Sequence, residues 1–547
     1  MNGLAVIAAA VVLGAPAAAA PVSPAAGVSA DVTYTRALLG KAQPDECFAG
    51  IGQPYPPGPP CAQGQPKVNQ AYVWGLVRTG RRVWFGTGAN THCLTSGANL
   101  GTTKPVVNDD YVCEFGESQV ARTDPAVPDA LGDVRPPQVW LHDTGTGTLV
   151  NKSAEISTAS AADARRLRST LGMRAAGTLD GVVLFGGPSL HSGLNLFAFD
   201  AVTGRFLGSR TLPAYGNART FLAAEGALYL GVGIGPGGGR GGAVLRWTGN
   251  RLAPFAFVKV GALPAQAVDL AYHEGRLVAT TWATNDPASP QQLAGVWASP
   301  PLPLTRSDTD GWTQAWNVAG YEPDPLIERT YGLGGVASYG GWVYWGTMHV
   351  PLQATLLHQA TYPQDTDEAK RAQIRYTQRA TSLWRGRDLG LPTQQIELLY
   401  GEPTLPAYTP GAGWSPVATG SNPRYGRSGF GNAYNNYTWR MAVAGGGLYV
   451  TTMDWSYLVH DLSAEAPPTD PALWGADLWA FPSADEPARP VDTTGLGNYL
   501  NYGIRNLVPD GEALYLGTAN PMNLRTDPGD DVPEGGWELI KLTPASS

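Results

Sequence analysis

The sequence predicts an all-β fold, a seven-bladed β-propeller closed by its N-terminal strand. The main observation is a repeated unit that consists of a short apolar stretch, a turn with Gly, and a β-type run ending in Gly or Thr. A third strand-like run follows each unit after a loop of uneven length. Repeated short strands with variable loops are typical of a propeller, in which each repeat forms one blade. The seven copies begin at residues 74, 174, 219, 269, 334, 440 and 503.

The composition agrees with this fold. The 547 residues include 69 Gly and 46 Pro, which indicate many turns, and 17 Trp and 23 Tyr, which suit the wedges between blades. A closed ring uses its whole chain as one domain, which we place at residues 71–547. The formal net charge of −8 disfavours a general nucleic-acid binder, which needs basic patches. No internal segment approaches the roughly 20 apolar residues of a membrane span.

The N-terminus predicts export. Residues 4–20 are apolar and rich in Ala, and small residues and prolines follow them. This pattern indicates a secretory signal peptide over residues 1–30, and Val28-Ser29-Ala30 has the small-x-small form of a cleavage site. Ala18-Ala19-Ala20 is a poorer alternative, because Pro21 follows it. We therefore expect cleavage after Ala30 and a secreted or periplasmic protein.

The next segment, residues 31–70, predicts a closing strand followed by an arm rich in Pro and Gly. Residues 31–39 alternate like a strand, whereas the last repeat, residues 503–542, shows only three strands before the terminus. A four-stranded blade then lacks one strand, which the N-terminal strand can supply. Such pairing joins the two ends of the ring and protects an open sheet edge.

All four cysteines, Cys47, Cys61, Cys93 and Cys113, lie in the first quarter of the chain. An even count in an exported protein favours disulfides. Three pairings are open, and pairing sequence neighbours would give Cys47–Cys61 and Cys93–Cys113. A zinc site is the alternative, with His92 as a candidate ligand, but no CxxC pair supports it.

Several blades carry long insertions, near residues 88–137, 350–380, 401–438 and 453–474. Residues 366–380 are polar and predict a short exposed helix. Residues 401–437 show no period. Loops as long as these insertions are usually lids or binding loops, or else disordered. This region also contributes an aromatic cluster that suits either sugar stacking or core packing: Tyr425, Phe430, Tyr434, Tyr437 and Trp439.

The repeats also predict a site. The loop that leads into the inner strand lies on the same face as the loop between strands two and three, so residues at these two positions converge. The heads of the inner strands carry Trp74, Arg174, Arg219, Asp269, Gly334, Arg440 and Arg505. The loops after the second strands carry His92, His191, Asn285, His349, Asp454 and Asn520.

These residue types suit two kinds of chemistry. Arginine binds carboxylate, sulfate or phosphate in two places and stays charged, so the arginines, with Trp74 and Asp269, predict an anionic ligand. Pairing of the arginines with Asp or carbonyl groups between blades is the alternative. The histidines, with Asp454 and Asn520, could hold a divalent metal or serve as acid and base. Ordinary hydrogen bonding of these loops is the alternative, and no motif assigns a catalytic residue.

The strings Gly503-Ile504-Arg505, 514–521 and Gly536-Trp537-Glu538-Leu539 resemble blade signatures of secreted bacterial β-propeller repeat proteins. The resemblance covers nearly all of the mature chain, at the level of the repeats. The architecture is also similar to that of propeller polysaccharide lyases, which pair Arg and His with uronate substrates. No catalytic motif of those enzymes matches this chain residue by residue.

Two classes of function follow. The first is a propeller that binds an anionic small molecule, glycan or protein loop at an Arg- and His-lined channel mouth. The second is a metal- or His-assisted lyase or hydrolase of anionic carbohydrate, and a protein-interaction scaffold is a further alternative. Because a propeller hosts many chemistries, the choice depends on the site.

Overall fold

The computed structural model describes residues 33–51, 61–284, 290–462 and 469–545. The predicted signal peptide and its cleavage site, and the loop residue Asn285, lie outside these residues. The fold is all-β, as predicted, with a large antiparallel sheet and two further four-stranded antiparallel sheets.

The N-terminal arm contains three strands, β1 (Tyr34–Lys41), β2 (Glu46–Phe48) and β3 (Gln65–Lys67). In the described part of the chain, most of the other strands form antiparallel groups of four that follow one another in sequence, and the last group has three strands of its own. The first group comprises β4 (Gln70–Thr79), β5 (Arg82–Ala89), β8 (Val139–Asp143) and β9 (Thr148–Asn151), with the hairpin β6 (Val106–Val107) and β7 (Val112–Cys113) inserted. The second comprises β10 (Ala175–Leu179), β11 (Val182–Pro188), β12 (Leu194–Asp200) and β13 (Phe206–Leu212). The third comprises β14 (Tyr215–Ala224), β15 (Ala227–Ile234), β16 (Gly242–Trp247) and β17 (Phe257–Leu263).

The later groups follow the same order. The fourth comprises β18 (Gln266–His273), β19 (Arg276–Trp282), β20 (Gly295–Pro301) and β21 (Thr313–Asn317). The fifth comprises β22 (Tyr331–Tyr339), β23 (Trp342–His349), β24 (Leu383–Arg387) and β25 (Gln395–Tyr400), and the hairpin β26 (Thr404–Thr409) and β27 (Gly413–Ala418) follows it. The sixth comprises β28 (Asn435–Ala444), β29 (Gly447–Asp454), β30 (Leu478–Phe481) and β31 (Arg489–Asp492). The last contains β32 (Gly503–Asp510), β33 (Ala513–Ala519) and β34 (Glu538–Pro544).

The N-terminal strand completes the last group. Strand β1 pairs antiparallel with β34, from Tyr34 opposite Pro544 to Lys41 opposite Glu538. The predicted pairing of the two ends of the chain is therefore confirmed, and the C-terminal strand has a partner on each side.

The first strands of the groups, which are β4, β10, β14, β18, β22, β28 and β32, lie side by side. Each contacts the first strand of the next group, and β32 contacts β4. The core lies between neighbouring groups, where aromatic rings from both sides pack together. Trp84 of β5 packs on Phe199 of β12 with ring centroids 5.2 Å apart, and Phe85 packs on Trp537 at 4.9 Å. The first strands therefore meet in the interior of the molecule.

The described helices lie in the connections between strands. They are α1 (Thr91–Leu100), α2 (Gln119–Thr123), α3 (Ser153–Ala159), α4 (Ala161–Arg168), α5 (Gln353–Thr361), α6 (Asp367–Thr377) and α7 (Ser456–Leu462). Short 3-10 turns cover Asp129–Leu131, Pro236–Gly238, Arg306–Asp308, Val318–Gly320, Ile327–Thr330, Ser428–Gly431 and Pro471–Leu473. Helix α6 corresponds to the helix predicted over residues 366–380, and the Thr366 side chain caps it by accepting from the Ala369 N–H.

The four cysteines form two disulfides, Cys47–Cys61 and Cys93–Cys113, and no cysteine of the described chain is free. The zinc alternative is therefore excluded, because the thiols that would bind the metal are oxidised. Two disulfides favour an oxidising, extracytoplasmic compartment. Among the helices described above, none is long and apolar enough to cross a membrane.

Candidate functional site

A cavity of about 410 Å³ lies where the first strands meet. Its volume falls within the range of roughly 300–1,000 Å³ that is usual for small-molecule sites. The first strands and the residues directly before them contribute Tyr72, Trp74, Arg174, Asn217, Arg219, Gln266, Tyr437, Trp439, Tyr502 and Arg505 to its lining.

A β-bulge in several of the first strands places side chains at this cavity. Strand β10 has no bulge, and Arg174 lies directly before it. In β14 the pairing passes from Ala218 opposite Val232 to Thr220 opposite Gly231, so Arg219 is the extra residue. An extra residue stands outside the hydrogen-bonded ladder and bends the strand locally. The same position is occupied by Trp74 in β4, Trp439 in β28 and Arg505 in β32. The same β-bulge, repeated in four groups, therefore brings four side chains together at the cavity.

The register of the bulges corrects the repeat alignment at two positions. The sequence aligned Asp269 and Arg440 with Arg219 and Arg505, but the extra residues of β18 and β28 are Val268 and Trp439. Asp269 and Arg440 each come one residue later. Asp269 and Arg440 do not line the large cavity. They line a small neighbouring space together with Arg219 and Arg505.

Strand β22 contributes no side chain at this level, because its irregular stretch consists of Gly334 and Gly335. A Cβ on Gly334 would lie 1.7 Å from the carbonyl oxygen of Thr438 in β28. The close approach of these two strands therefore requires glycine, and the predicted repeat position is structural here.

Arg440 and Asp269 form an ion pair with each other. Arg440 also donates to Thr220 Oγ1 at 3.3 Å, and Asp269 accepts from the N–H groups of Leu270 at 3.0 Å and Val336 at 3.3 Å. These contacts join four groups of strands. Arg440 therefore has the structural role that the sequence offered as the alternative to ligand binding, since it pairs with an Asp of another group.

Arg174, Arg219 and Arg505 are different, since none of them forms an ion pair with a carboxylate of the described chain. Arg219 and Arg505 are each only 4% exposed. Arg174 and Arg219 also have a buried Nε without a hydrogen-bond partner. Three guanidinium groups therefore converge on one cavity without a neutralising partner.

Burial lowers the pKa of Arg174 to about 10. Burial and the positive charges of Arg174 and Arg505 lower the pKa of Arg219, and burial with the charges of Arg440 and Arg174 lowers that of Arg505. Because all three pKa values are lowered, the surroundings disfavour the positive charges of these arginines. An anion bound among them would oppose both the desolvation and the mutual repulsion.

Indole rings hold these arginines in place. The guanidinium carbon of Arg219 lies 4.1 Å from the ring centre of Trp282, that of Arg174 lies 5.1 Å from Trp74, and that of Arg505 lies 5.6 Å from Trp439. Cation–π contact orients the planar group but does not neutralise its charge. The hydrogen-bonding edges of the guanidinium groups remain available for a ligand.

The structure does not assemble the predicted histidine cluster. His92 lines the cavity, packs against Tyr111 with ring centroids 4.9 Å apart, and has its pKa lowered to about 4 by burial. His349 is buried against Tyr331 at 4.0 Å, and burial also lowers its pKa. His191 is half-exposed, with Nε2 3.1 Å from Asp124 Oδ2.

Within the described residues, no three or more His, Cys, Asp and Glu side chains are grouped so that they could hold a metal ion. The physical reason is the uneven length of the loops, which places the three histidines in three different environments. His191 and His349 therefore make ordinary contacts within the protein, which was the alternative to a metal or acid–base cluster.

Asp454 and Asn520 do not line the cavity and instead order the loops around it. Asp454 accepts from the Ser456 N–H and from Asn432 Nδ2, each at 2.9 Å, and from the Ser456 hydroxyl. Asn520 donates to Asn501 Oδ1 at 3.3 Å and to the Glu534 carbonyl at 3.1 Å. Both residues therefore support the loops that carry lining residues such as Trp455.

The buried carboxyl group of Asp454 should make the free energy of unfolding depend on pH. Burial raises its pKa from 3.8 to about 8. The folded state therefore keeps a proton that the unfolded state loses above pH 3.8, so this contribution is fully present below pH 4 and disappears as the pH rises to 8. We expect the Asp454→Asn variant to lose less stability than the wild type between pH 5 and pH 8 in urea unfolding.

The matched control for this experiment is Asp310→Asn, which removes an exposed carboxyl group. It should follow the wild-type pH profile. Parallel profiles for the wild type and Asp454→Asn would show that Asp454 is ionised in the folded protein.

Three insertions cover the cavity and form what we call the roof, which consists of α1, α5 and α7 with the residues directly before them. Helix α1 is fixed by the Cys93–Cys113 disulfide and contacts α5. The Asn90 side chain, just before α1, donates to Asn69 Oδ1 at 2.8 Å and to the Asp133 carbonyl at 3.0 Å. The insertions predicted as lids or binding loops therefore carry part of the cavity wall.

The repeat alignment missed several lining residues. Tyr72, Gln266, Trp282 and Tyr502 line the cavity. Tyr72 and Gln266 lie two residues before the extra residues of their strands, so the repeat spacing could have found these two. Trp282 ends β19 and holds an arginine from the neighbouring group. Of the aromatic cluster predicted over residues 425–439, Tyr437 and Trp439 reach the cavity, whereas Tyr425 and Phe430 pack around Tyr400 and Phe481.

Comparison with known proteins yields no family. No protein-family model matches the chain, and no curated protein matches it significantly. Among solved structures, the chain is similar to the computationally designed Ika8 protein, with 9% identity over 87% of this chain and 97% of that chain and a TM-score of 0.32. It is also similar to the acylaminoacyl peptidase of Pyrococcus horikoshii, with 8% identity over 82% of this chain and a TM-score of 0.34. The match spans 49% of that peptidase, and neither likeness carries an argument about function.

Proposed function

We propose that the chain is a secreted, seven-bladed β-propeller that binds an anionic ligand in its central cavity. The successive four-strand groups, the contact of each first strand with the next, and the pairing of β1 with β34 support the closed ring of blades. The predicted signal peptide and the two disulfides support secretion.

One observation carries the proposal. Arg174, Arg219 and Arg505 lie at one cavity without carboxylate partners, although burial and mutual repulsion disfavour their charges. A purely structural arginine in the interior is normally paired, as Arg440 is with Asp269, because an unpaired buried charge costs several kcal/mol. An anionic ligand supplies the partner that the described residues do not.

A neutral donor supports the same site. Gln266 lines the cavity, and its Nε2 is buried without a hydrogen-bond partner. No Asp, Glu or Lys of the described chain lines the cavity. The lining therefore offers donors and positive charge, which favours a carboxylate, sulfate or phosphate group.

The test is calorimetric titration of the purified protein with sodium sulfate and sodium acetate at constant ionic strength. We expect Arg219→Gln and Arg505→Gln each to weaken binding about tenfold or more, since a charge-assisted hydrogen bond contributes roughly 1.5–3 kcal/mol. Arg371→Gln is the matched control, because Arg371 is exposed on α6 and should leave the affinity unchanged.

Thermal unfolding of the ligand-free variants separates a binding role from a structural one. Removal of an unpaired buried charge should leave the midpoint for Arg219→Gln unchanged or raise it. A large loss of stability, with unchanged anion affinity in the protein that still folds, would show that these arginines hold the blades together.

A further inference from the structure

We infer that the ligand is an amphipathic anion, whose acidic head binds Arg174, Arg219 and Arg505 and whose apolar body lies under the roof. The inference rests on the proposed function and adds the class of ligand. It depends on the different chemistry of the two sides of the cavity.

The charged side of the cavity is next to the first strands. Arg219 and Arg505 line both the large cavity and the small space around Asp269 and Arg440. They therefore mark the floor, at the level of the bulges. The remaining lining arginine, Arg329, lies before β22 and donates to Gln291 Oε1 at 3.3 Å.

The roof presents a mainly apolar surface to the same space, and its polar lining residues apart from His92 are Thr91, Thr95, Ser96, Asn99 and Gln353. Its lining residues include Leu94, Leu100, Val350, Leu352, Trp455 and Leu458. Leu94, Leu100 and Leu352 belong to the edge of a hydrophobic cluster and are only partly buried. An apolar body that covers them would remove this surface from water, which is favourable in proportion to the area covered.

His92 is the histidine of the roof that lines the cavity. Burial lowers its pKa to about 4, so its imidazole is neutral at neutral pH. Among the described roof residues that line the cavity, none is charged at neutral pH, so the ligand body meets no group there that would need an acidic partner. The molecule that fits has its acid at one end, as in a long-chain carboxylate, and not charges spread along a polar body, as in a polyuronate.

The test is titration of the full-length mature protein with acetate, hexanoate and decanoate, and with glucuronate as an acid that has a polar body. We expect the affinity to rise about threefold to fourfold per methylene until the cavity is filled. Decanoate should bind at least tenfold more tightly than glucuronate.

Two variants separate the head from the body. Leu352→Asn should weaken decanoate binding at least threefold and leave acetate binding unchanged, whereas Arg505→Gln should weaken both. Leu252→Asn is the matched control, since Leu252 is 97% exposed, and should change neither.

Each outcome has one meaning. Two results would contradict an apolar ligand body: equal affinity for acetate, hexanoate and decanoate, or tighter binding of glucuronate than of decanoate. If binding still depended on Arg505 in either case, the proposed anion site would stand. Absence of binding for sulfate and every carboxylate would overturn the proposed function as well.

Discussion

Replacement of Lys67 by methionine is expected to lower the free energy of unfolding by about 3–5 kcal/mol, because it breaks a buried ion pair and leaves carboxylates without a partner. Lys67 is fully buried, with Nζ 2.9 Å from Glu114 Oε2 and 2.6 Å from Asp133 Oδ2. Methionine has a similar length, so the change removes the charge with little change in packing.

The surroundings of Lys67 explain why the effect should be large. Arg135 is the second cation of the cluster, and it pairs with Glu46 at 2.9 Å, with Glu114 at 2.8 Å and with Asp133. Without Lys67, three carboxylates share this one arginine. Burial already raises the pKa of Asp133, so this carboxyl group should take up a proton in the variant.

Chemical unfolding at pH 7 measures the effect, and Lys104→Met is the control, because Lys104 is exposed. Equal stability of Lys67→Met and the wild type would show that the cluster is neutralised in another way. The cluster joins the N-terminal arm to the first insertion, which carries α1, so loss of Lys67 should also weaken ligand binding.

Removal of residues 31–41 is expected to cost about 3 kcal/mol or more, since it removes half-buried apolar side chains and leaves one edge of β34 unpaired. Tyr34 and Leu39 pack against the hydrophobic clusters of the last and first groups, and the Tyr34 hydroxyl lies 2.9 Å from that of Tyr449. Lys41 adds an ion pair with Glu534 at 2.7 Å. The exposed edge should also promote aggregation.

The midpoint of thermal unfolding and the fraction of monomer by size-exclusion chromatography measure this effect. Leu38→Ser is the matched control, because Leu38 lies in the same strand but is 56% exposed. A truncated protein that unfolds at the wild-type temperature would show that the pairing of β1 with β34 contributes nothing to stability.

The strand order of this chain could be predicted because each group repeats its own pattern of short strands and turns. The pairing of β1 with β34 followed from counting, since the last repeat lacked a strand. The disulfide pairing was one of three open combinations, and the structure selects neighbours in sequence.

The site was predicted less completely, for reasons of geometry. Arg174, Arg219 and Arg505 line the cavity, whereas Arg440 does not, because Trp439 occupies the bulge. A one-residue shift in a strand exchanges the faces of its side chains. The sequence does contain this register, because Arg219, Trp439 and Arg505 each lie nine residues before a Leu-Tyr pair of the second strand, whereas Arg440 lies eight residues before it. The histidines depended on loops of unequal length, which the repeat spacing does not position.

The bulge at the extra residue of β4, β14, β18, β28 and β32 has a consequence for how this molecule can change over time. The extra residue stands outside the ladder of paired residues, so its side chain can be exchanged without altering the register of the sheet. Tryptophan, arginine and valine already occupy this position in different strands. The chemistry of the cavity can therefore diversify by single substitutions while the surrounding architecture is inherited unchanged.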